Sequence, residues 1–346
     1  MSTKKIVAWP LSGLAVVAFT GTATAQGPAG LYQKTTYTGK EIGKLTGDVY
    51  YARWDDYLSA FMVTPEGVVL VEPVGVEFAT WLKGEIAARF KVPVKYVIYS
   101  HSHADHASGA AVYADTAKII ANEALPKLLA VPPGSTALPD NLKTQDTNGN
   151  GSIERAEAQA NIAALFDLYD ADKNGALSGA EAVRGPLRDV MEPTETYSGK
   201  LDIRLGGKLA QVMSIPTAHA PDNTVVRFVD GTNVVFASDW VTVDRVPFGP
   251  GIASPDEIAK AQQLAAMDFE FFVCSHGKLG KKADVNENIA YREAVRNAVA
   301  KAIADGKTLE QTRDSVLMSD YSQWEFYEQQ RPQNVVGTYR MLTTQR

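Results

Sequence analysis

A single cysteine in 346 residues, Cys274, excludes an internal disulfide, so the fold must be held by its core and by any ions it binds. Its setting, "FEFFVCSHG", reads as a small residue buried on a strand. Histidine is almost as scarce, with five in the chain, which makes their placement informative. Runs of one charge sign are also missing, so there is no acidic or basic tail. A net charge of −6 argues against the basic face of a nucleic-acid binder. After the N-terminal stretch no segment is apolar for the roughly 20 residues that a membrane span needs.

The N-terminus itself reads as an export signal. Lys4 and Lys5 precede the apolar "IVAWPLSGLAVVAFTGTA", and Ala23–Ala25 supplies an A-x-A cleavage site. Pro10, Ser12, Gly13, Thr20 and Gly21 make that stretch a poor spanning helix. Residues 1–25 therefore predict a cleaved signal peptide and a mature chain beginning near Gln26. The protein is expected in the periplasm or secreted, with no stable membrane span.

From Asp48 onward, β-rich runs alternate with turns: "DVYYARW", "LSAFMVT", "VVLVEP". Phe78, Trp81, Leu82, Ile86 and Phe90 then recur at helical spacing, and "VPVKYVIYS" returns to a strand pattern. Residues 131–193 change character to loop chemistry around a helix. Strand patterns resume with "KLDIRLGG", "KLAQVMSIPT", "NTVVRFVDG" and "TNVVFASDWV". A long amphipathic helix closed by Gly306 follows, with more helix to about Gln330. The expected organisation is an α/β sandwich in two similar halves, 26–130 and 194–306, each a sheet with helices on its outer face. Residues 131–193 are an insertion and 307–346 a C-terminal helical extension. "YYARWDDY" is open to two readings, an aromatic rim over a site or strand residues in a core.

The histidines concentrate in "IYSHSHADHASG". His101, His103, Asp105 and His106 form H-x-H-x-D-H directly after a predicted buried strand, where side chains of one tight loop can converge on a point. Imidazole with carboxylate suits zinc or iron. His219 and His276 each follow another β-rich run, and Asp239 ends a further one in "VVFASDW". Every histidine thus sits at a strand end, which favours metal ligation over scattered structural use.

On these residues the chain resembles the metallo-β-lactamase superfamily, over about residues 45–125 and 195–280. The resemblance implies an αββα sandwich with metals between the sheet edges. It implies His101, His103 and His219 as ligands of one metal, Asp105, His106 and His276 as ligands of a second, and Asp239 as the bridge. The family usually places an aspartate after the strand that precedes the first helix; here "VVLVEPVG" puts Glu72 there. The extra methylene moves the carboxylate by about 1.5 Å, roughly one C–C bond.

Two zinc ions sharing an activated water would supply a nucleophile at neutral pH, with Asp105 orienting or deprotonating that water. The expected reaction is hydrolysis of a small ester-like molecule: a lactone, thioester, sulfate ester or phosphate ester. True metallo-β-lactamases usually lack an aspartate where Asp239 stands, which weighs against a β-lactam as the main substrate. "VKYVIYSHSHADH" also resembles alkylsulfatase relatives. The alternatives are a β-lactamase proper, an iron-dependent persulfide dioxygenase, and a non-catalytic calcium-binding module.

Calcium enters through the insertion. "DTNGNGSIERAE" and "DADKNGALSGAE" both have the form of a twelve-residue EF-hand loop. In the first, Asp146, Asn148, Asn150 and Glu157 occupy ligand positions and Ser152 offers its backbone carbonyl. In the second, Asp170, Asp172, Asn174 and Glu181 do so, with the carbonyl of Ala176. The few carboxylates predict weak sites, about 10⁻⁴ to 10⁻³ M, with a structural role. Ile162, Leu165, Phe166 and Tyr169 mark one helical face between the loops. A continuous helix would hold the loops apart, whereas a broken one would let Ile153 pair with Leu177.

Overall fold

The computed structural model describes residues 37–344 apart from 130–136, 139, 141, 160–161, 164–165, 171, 185–186, 188 and 231–232. The predicted signal peptide and Leu165 of the predicted helical face lie outside the described residues. The chain divides into two compact units, Val131–Arg188 and a larger one built from 29–130 and 189–346.

The larger unit contains two sheets. The first runs through β1 (Lys40–Thr46), β2 (Val49–Trp54), β3 (Tyr57–Thr64), β4 (Gly67–Val71), β5 (Val94–Ile98), β6 (Lys118–Asn122) and β9 (Glu195–Tyr197), in that order across the sheet. The second runs through β10 (Lys200–Leu205), β11 (Lys208–Ser214), β12 (Thr224–Val229), β13 (Val234–Ala237), β14 (Phe271–Val273) and β15 (Gly280–Lys281). Meanders joined by tight turns give antiparallel pairs, while the longer connections give the parallel pairs β4–β5, β5–β6, β6–β9 and β13–β14.

Strand periodicity decides what each sheet buries. Leu58, Ala60 and Met62 of β3 face Val226, Phe228, Val234 and Phe236 of the second sheet in one apolar layer. The alternate residues Val225, Val235 and Ala237 face outward onto Ala261 and Leu264 of helix Pro255–Ala265 and Val285 and Ile289 of helix Lys282–Ala304. On the outer side of the first sheet, Phe61 meets Phe90 of helix Val76–Phe90 at 5.9 Å between ring centroids. Each fully buried Phe or Val in these layers contributes about 1.5–3 kcal/mol. Two sheets face to face with helices outside is the αββα order expected from the sequence.

Helix Lys282–Ala304 has a second duty. Its Tyr291, Val295 and Val299 pack with Val316 and Val335 of the C-terminal region, and Tyr291 Oη donates to Asn334 Oδ1 at 2.8 Å. A Thr308–Gln311 capping box starts helix Leu309–Ser315, and helix Tyr327–Thr344 runs well beyond Gln330, where the sequence pattern fades. No described helix is long and apolar enough to cross a membrane.

In the smaller unit β7 (Ile153–Glu154) and β8 (Ala176–Leu177) pair antiparallel, with Ile153 opposite Leu177. Of the two arrangements open to the sequence, the paired one is present. Ile153, Leu177, Ile162, Phe166 and Ala182 form a small apolar cluster beneath the pair. The two twelve-residue loops then repeat one hydrogen-bond pattern. Asp146 accepts from the amides of Gly149, Asn150 and Gly151, and Asp170 from those of Asn174 and Gly175. Glu157 accepts from the amides of Thr147 and Glu154; Glu181 accepts from those of Asp172 and Ser178. Gly151 and Gly175 both sit at φ +86°, the left-handed turn the loop needs.

Candidate metal centre

Parallel strand direction gathers the site. Glu72 follows β4 and the His101–His106 stretch follows β5, and these two strands are parallel, so both groups emerge at one edge. Asp239 and His276 follow the parallel strands β13 and β14 in the same way. His219 follows β11, which runs with β13 because each is antiparallel to β12. Polar contacts stitch the two edges together: Thr224 N donates to Ser100 O at 2.7 Å, Leu58 N to Ser275 O at 2.8 Å, and Ser102 Oγ to Asp222 Oδ1 at 3.1 Å.

All seven residues singled out in the sequence meet here, in two groups. His101, His103, His219 and Asp239 have potential ligand atoms within 4.8 Å of one another, and so do Asp105, His106 and His276. Asp239 reaches into both. Its Oδ1 is 2.9 Å from His219 Nε2 and 3.6 Å from His101 Nε2, while its Oδ2 is 3.6 Å from His106 Nε2. His106 Nε2 also lies 3.2 Å from Asp105 Oδ2, and His276 Nε2 lies 3.9 Å from it.

Three of the potential ligand atoms make no hydrogen bond, while His101 Nε2 and His219 Nε2 lie 3.2 Å from each other. His103 Nε2, His106 Nε2 and Asp239 Oδ1 are buried without a partner, a costly state unless something else binds them. The opposite ring nitrogens are engaged. His101 Nδ1 is 3.0 Å from Ser100 Oγ, His106 Nδ1 is 2.6 Å from Glu72 Oε1, and His276 Nδ1 is 3.1 Å from Asp56 Oδ2. Fixing Nδ1 in this way turns Nε2 inward, the arrangement of histidines that hold a metal. The residues present therefore fit a pair of divalent transition metals.

The electrostatics agree. Burial, with His219 next, pushes the His103 imidazole down to about 3, and burial with His103 pushes His101 well below its usual value. Burial opposes charge on Asp239 and Asp105. For Asp239 the neighbouring His219 and His106 outweigh it, and for Asp105 chiefly His106 does, so both carboxyls stay well below their usual range. Neutral imidazoles and ionised carboxylates are the forms that ligate. His106 departs from this: burial would lower it, but Asp105, Glu72 and Asp239 raise it well above its usual value, so it must give up that proton to ligate.

Glu72, standing where the family usually has an aspartate, reaches His106 Nδ1 with Oε1. It is fully buried, and its second oxygen, Oε2, accepts from Ser275 Oγ at 2.9 Å. Its backbone takes φ +68°, and Val74 takes φ +58°, an uncommon conformation for a β-branched residue. Of "YYARWDDY", the half-buried Tyr50 stacks on the buried Phe61 at 5.4 Å, whereas the Tyr57 ring lies 4.7 Å from that of His276. Tyr57 Oη also donates to Asp105 Oδ2 at 3.4 Å, so each reading of that stretch holds for part of it. Asp56 and Ser275 were not singled out from sequence. Asp56 lay inside a stretch read for its aromatics, and Ser275 beside a histidine read for itself.

Cys274 is fully buried, with Sγ 3.0 Å from His276 O, and burial raises its thiol to about 12. It is buried as expected, but packs just past the end of β14 rather than on it.

Comparison with known proteins gives a consistent picture. The sequence profile of the Metallo-beta-lactamase superfamily matches residues 52–276. A linear primary-alkylsulfatase of Pseudomonas sp. (strain ATCC 19151) is 24% identical over 220 residues, which is 62% of this chain and 40% of that protein. Among solved structures, a stereoselective inverting sec-alkylsulfatase from Pseudomonas sp. aligns with a TM-score of 0.57 at 15% identity, covering 87% of this chain and 50% of the other. A metallo-beta-lactamase from Pontibacter korlensis aligns with a TM-score of 0.49 at 17% identity, covering 74% and 99%. The chain thus spans 40% to 50% of the two alkylsulfatases. With the profile covering both halves of the sandwich, from Ala52 in β2 to His276, the chain belongs to the metallo-beta-lactamase superfamily.

Proposed function

We propose that this protein is an exported hydrolase holding two zinc ions and acting on a small ester-like substrate, with sulfate esters foremost. The observation that carries the reading is the pair of ligand groups that share Asp239 while buried His103 Nε2 and His106 Nε2 lack partners. His101, His103 and His219 would hold one ion, Asp105, His106 and His276 the other, and Asp239 both. Bound there, a metal pair lowers the pKa of water toward neutrality and polarises the oxygen under attack.

The chain's own groups do the rest. Asp105, held ionised, orients the attacking water and takes up its proton through the carboxylate that Tyr57 Oη steadies. Glu72 and Ser275 hold His106 in the tautomer that presents Nε2. The Tyr57 ring, against His276 and His106, shields that side of the site from bulk water. Sulfate esters lead because the curated relative is an alkylsulfatase, and lactones, thioesters and phosphate esters follow on the chemistry of the site. The test is a panel of alkyl sulfates, lactones, thioesters, phosphodiesters and a chromogenic β-lactam. Ester hydrolysis should exceed β-lactam turnover, with alkyl sulfates fastest. Strong β-lactam hydrolysis with little else would overturn the ranking.

Glu72→Asp should draw the carboxylate back by about 1.5 Å, too far to serve both His106 Nδ1 and Ser275 Oγ. Metal affinity, measured by equilibrium dialysis, is expected to fall about 10- to 100-fold. Unchanged affinity would mean that this carboxylate does not orient His106.

Calcium in the 131–188 unit belongs to the same reading. Asp146, Asn148, Asn150 and Glu157 with the Ser152 carbonyl would form one site, and Asp170, Asp172, Asn174 and Glu181 with the Ala176 carbonyl the other. The matched loop geometry, the Ile153–Leu177 pairing and the convergence of Asp170, Asp172 and Glu181 within 4.8 Å support it. Export rests on Lys4, Lys5 and Ala23–Ala25, and N-terminal sequencing of the mature protein should start near Gln26 rather than Met1.

A further inference from the structure

One buried arginine connects the metal centre to the C-terminal region. Arg245 is 2% exposed, and its guanidinium grips two carboxylates. Nη2 and Nη1 donate to Asp56 Oδ1 and Oδ2 at 2.7 and 3.1 Å, while Nε and Nη2 donate to Glu325 Oε2 at 2.8 and 2.6 Å. Asp56 Oδ2 in turn accepts from His276 Nδ1 at 3.1 Å. The chain of contacts is Glu325, Arg245, Asp56, His276.

The backbone is built around this chain. Gly277 N donates to Asp56 O at 2.9 Å, and Tyr57 bridges His276. A Cβ on Gly277, which sits at φ +78°, would come within 3.1 Å of Arg245 Nη2, so the residue after His276 leaves room for the guanidinium. Glu325 is fixed by Glu325 N donating to Asp244 O at 2.8 Å and Val246 N donating to Glu325 O at 3.0 Å. Phe326 closes the group, its ring centroid 4.8 Å from Arg245 Cζ. Only arginine offers donors on two edges of one plane, and both edges are used here.

We propose that Arg245 and Glu325 are positioning residues for the metal centre: they lock Asp56 as a hydrogen-bond acceptor, which holds His276 with its proton on Nδ1 and its Nε2 free for the second metal. The inference rests on the two-metal reading above. It makes the C-terminal region, outside the residues 52–276 that the family profile covers, a working part of the site. An acceptor fixed by a charge pair cannot rotate, whereas an amide in its place can turn its NH2 toward His276. The imidazole proton would then move to Nε2 and block the metal.

The test titrates metal-free protein with zinc against a chromophoric chelator, for the wild type, Asp56→Asn and Glu325→Gln, with melting temperatures measured alongside. In the wild type two ions should bind. In Asp56→Asn the second should bind about 10- to 100-fold more weakly and the first within about threefold of the wild type. Glu325→Gln, which keeps the shape of a partly exposed side chain, should weaken the second site by about 3- to 10-fold. It also gives the answer if Asp56→Asn does not fold. A merely structural role would weaken both ions together in step with the melting temperature, and that result would overturn the inference. So would two sites of wild-type affinity in Glu325→Gln. A wild type that binds fewer than two ions would instead overturn the two-metal reading itself, and the inference with it.

Discussion

His103→Ala is expected to lower hydrolysis by at least about 10³-fold, a loss of roughly 4 kcal/mol of transition-state stabilisation. The fold should survive, because His103 lies in the loop after β5 and outside the apolar layer between the sheets. Its Nε2 is buried without a partner, so in metal-free protein this side chain costs stability. The metal-free variant should therefore melt no lower than the metal-free wild type, while addition of zinc should stabilise the wild type far more than the variant. Paired melting curves with and without zinc check both points. A variant that loses its fold without metal, or keeps its activity with it, would contradict the assignment of His103 as a ligand.

The proposed calcium loops carry the second large effect. Ligand that binds only the folded state adds RT ln(1 + [L]/Kd), about 2.7 kcal/mol at a hundredfold excess over Kd. Millimolar calcium should therefore raise the melting temperature of the wild type and leave a Glu157→Gln, Glu181→Gln double variant unmoved. Both glutamates stand at the closing position of their loops, where a bidentate carboxylate completes the shell. If the role is structural, kcat at a temperature where both proteins are folded should change little with calcium. A severalfold change in turnover with no change in melting would make the unit regulatory instead.

Much of the site was legible because its signals are local. H-x-H-x-D-H puts four of the seven residues in one stretch, a loop leading into the short helix Ala104–Ala107, and the other three each end a β-rich run. Strand-end placement is what parallel pairing converts into one edge. What the sequence hid depends on partners far away in the chain. Asp56 and Arg245 are 189 positions apart, and Arg245 and Glu325 are 80 apart. An arginine in "VDRVPF" carries no mark of a salt bridge until the fold closes it. The missed strands have a different cause. β1 is an edge strand with no fully buried residue, and β9 has three residues, too few for alternation to show. In the insertion the ligand spacing was plain, but whether its helix ran on or broke depended on Ile153 meeting Leu177, a contact no local pattern encodes.

The central claim is a two-metal hydrolytic centre, and the most direct measurement is elemental analysis of protein purified without chelator or added metal. About two zinc ions per chain are expected, falling to about one or none in His103→Ala. One iron per chain with no zinc would contradict the account and favour oxidation of a persulfide over hydrolysis.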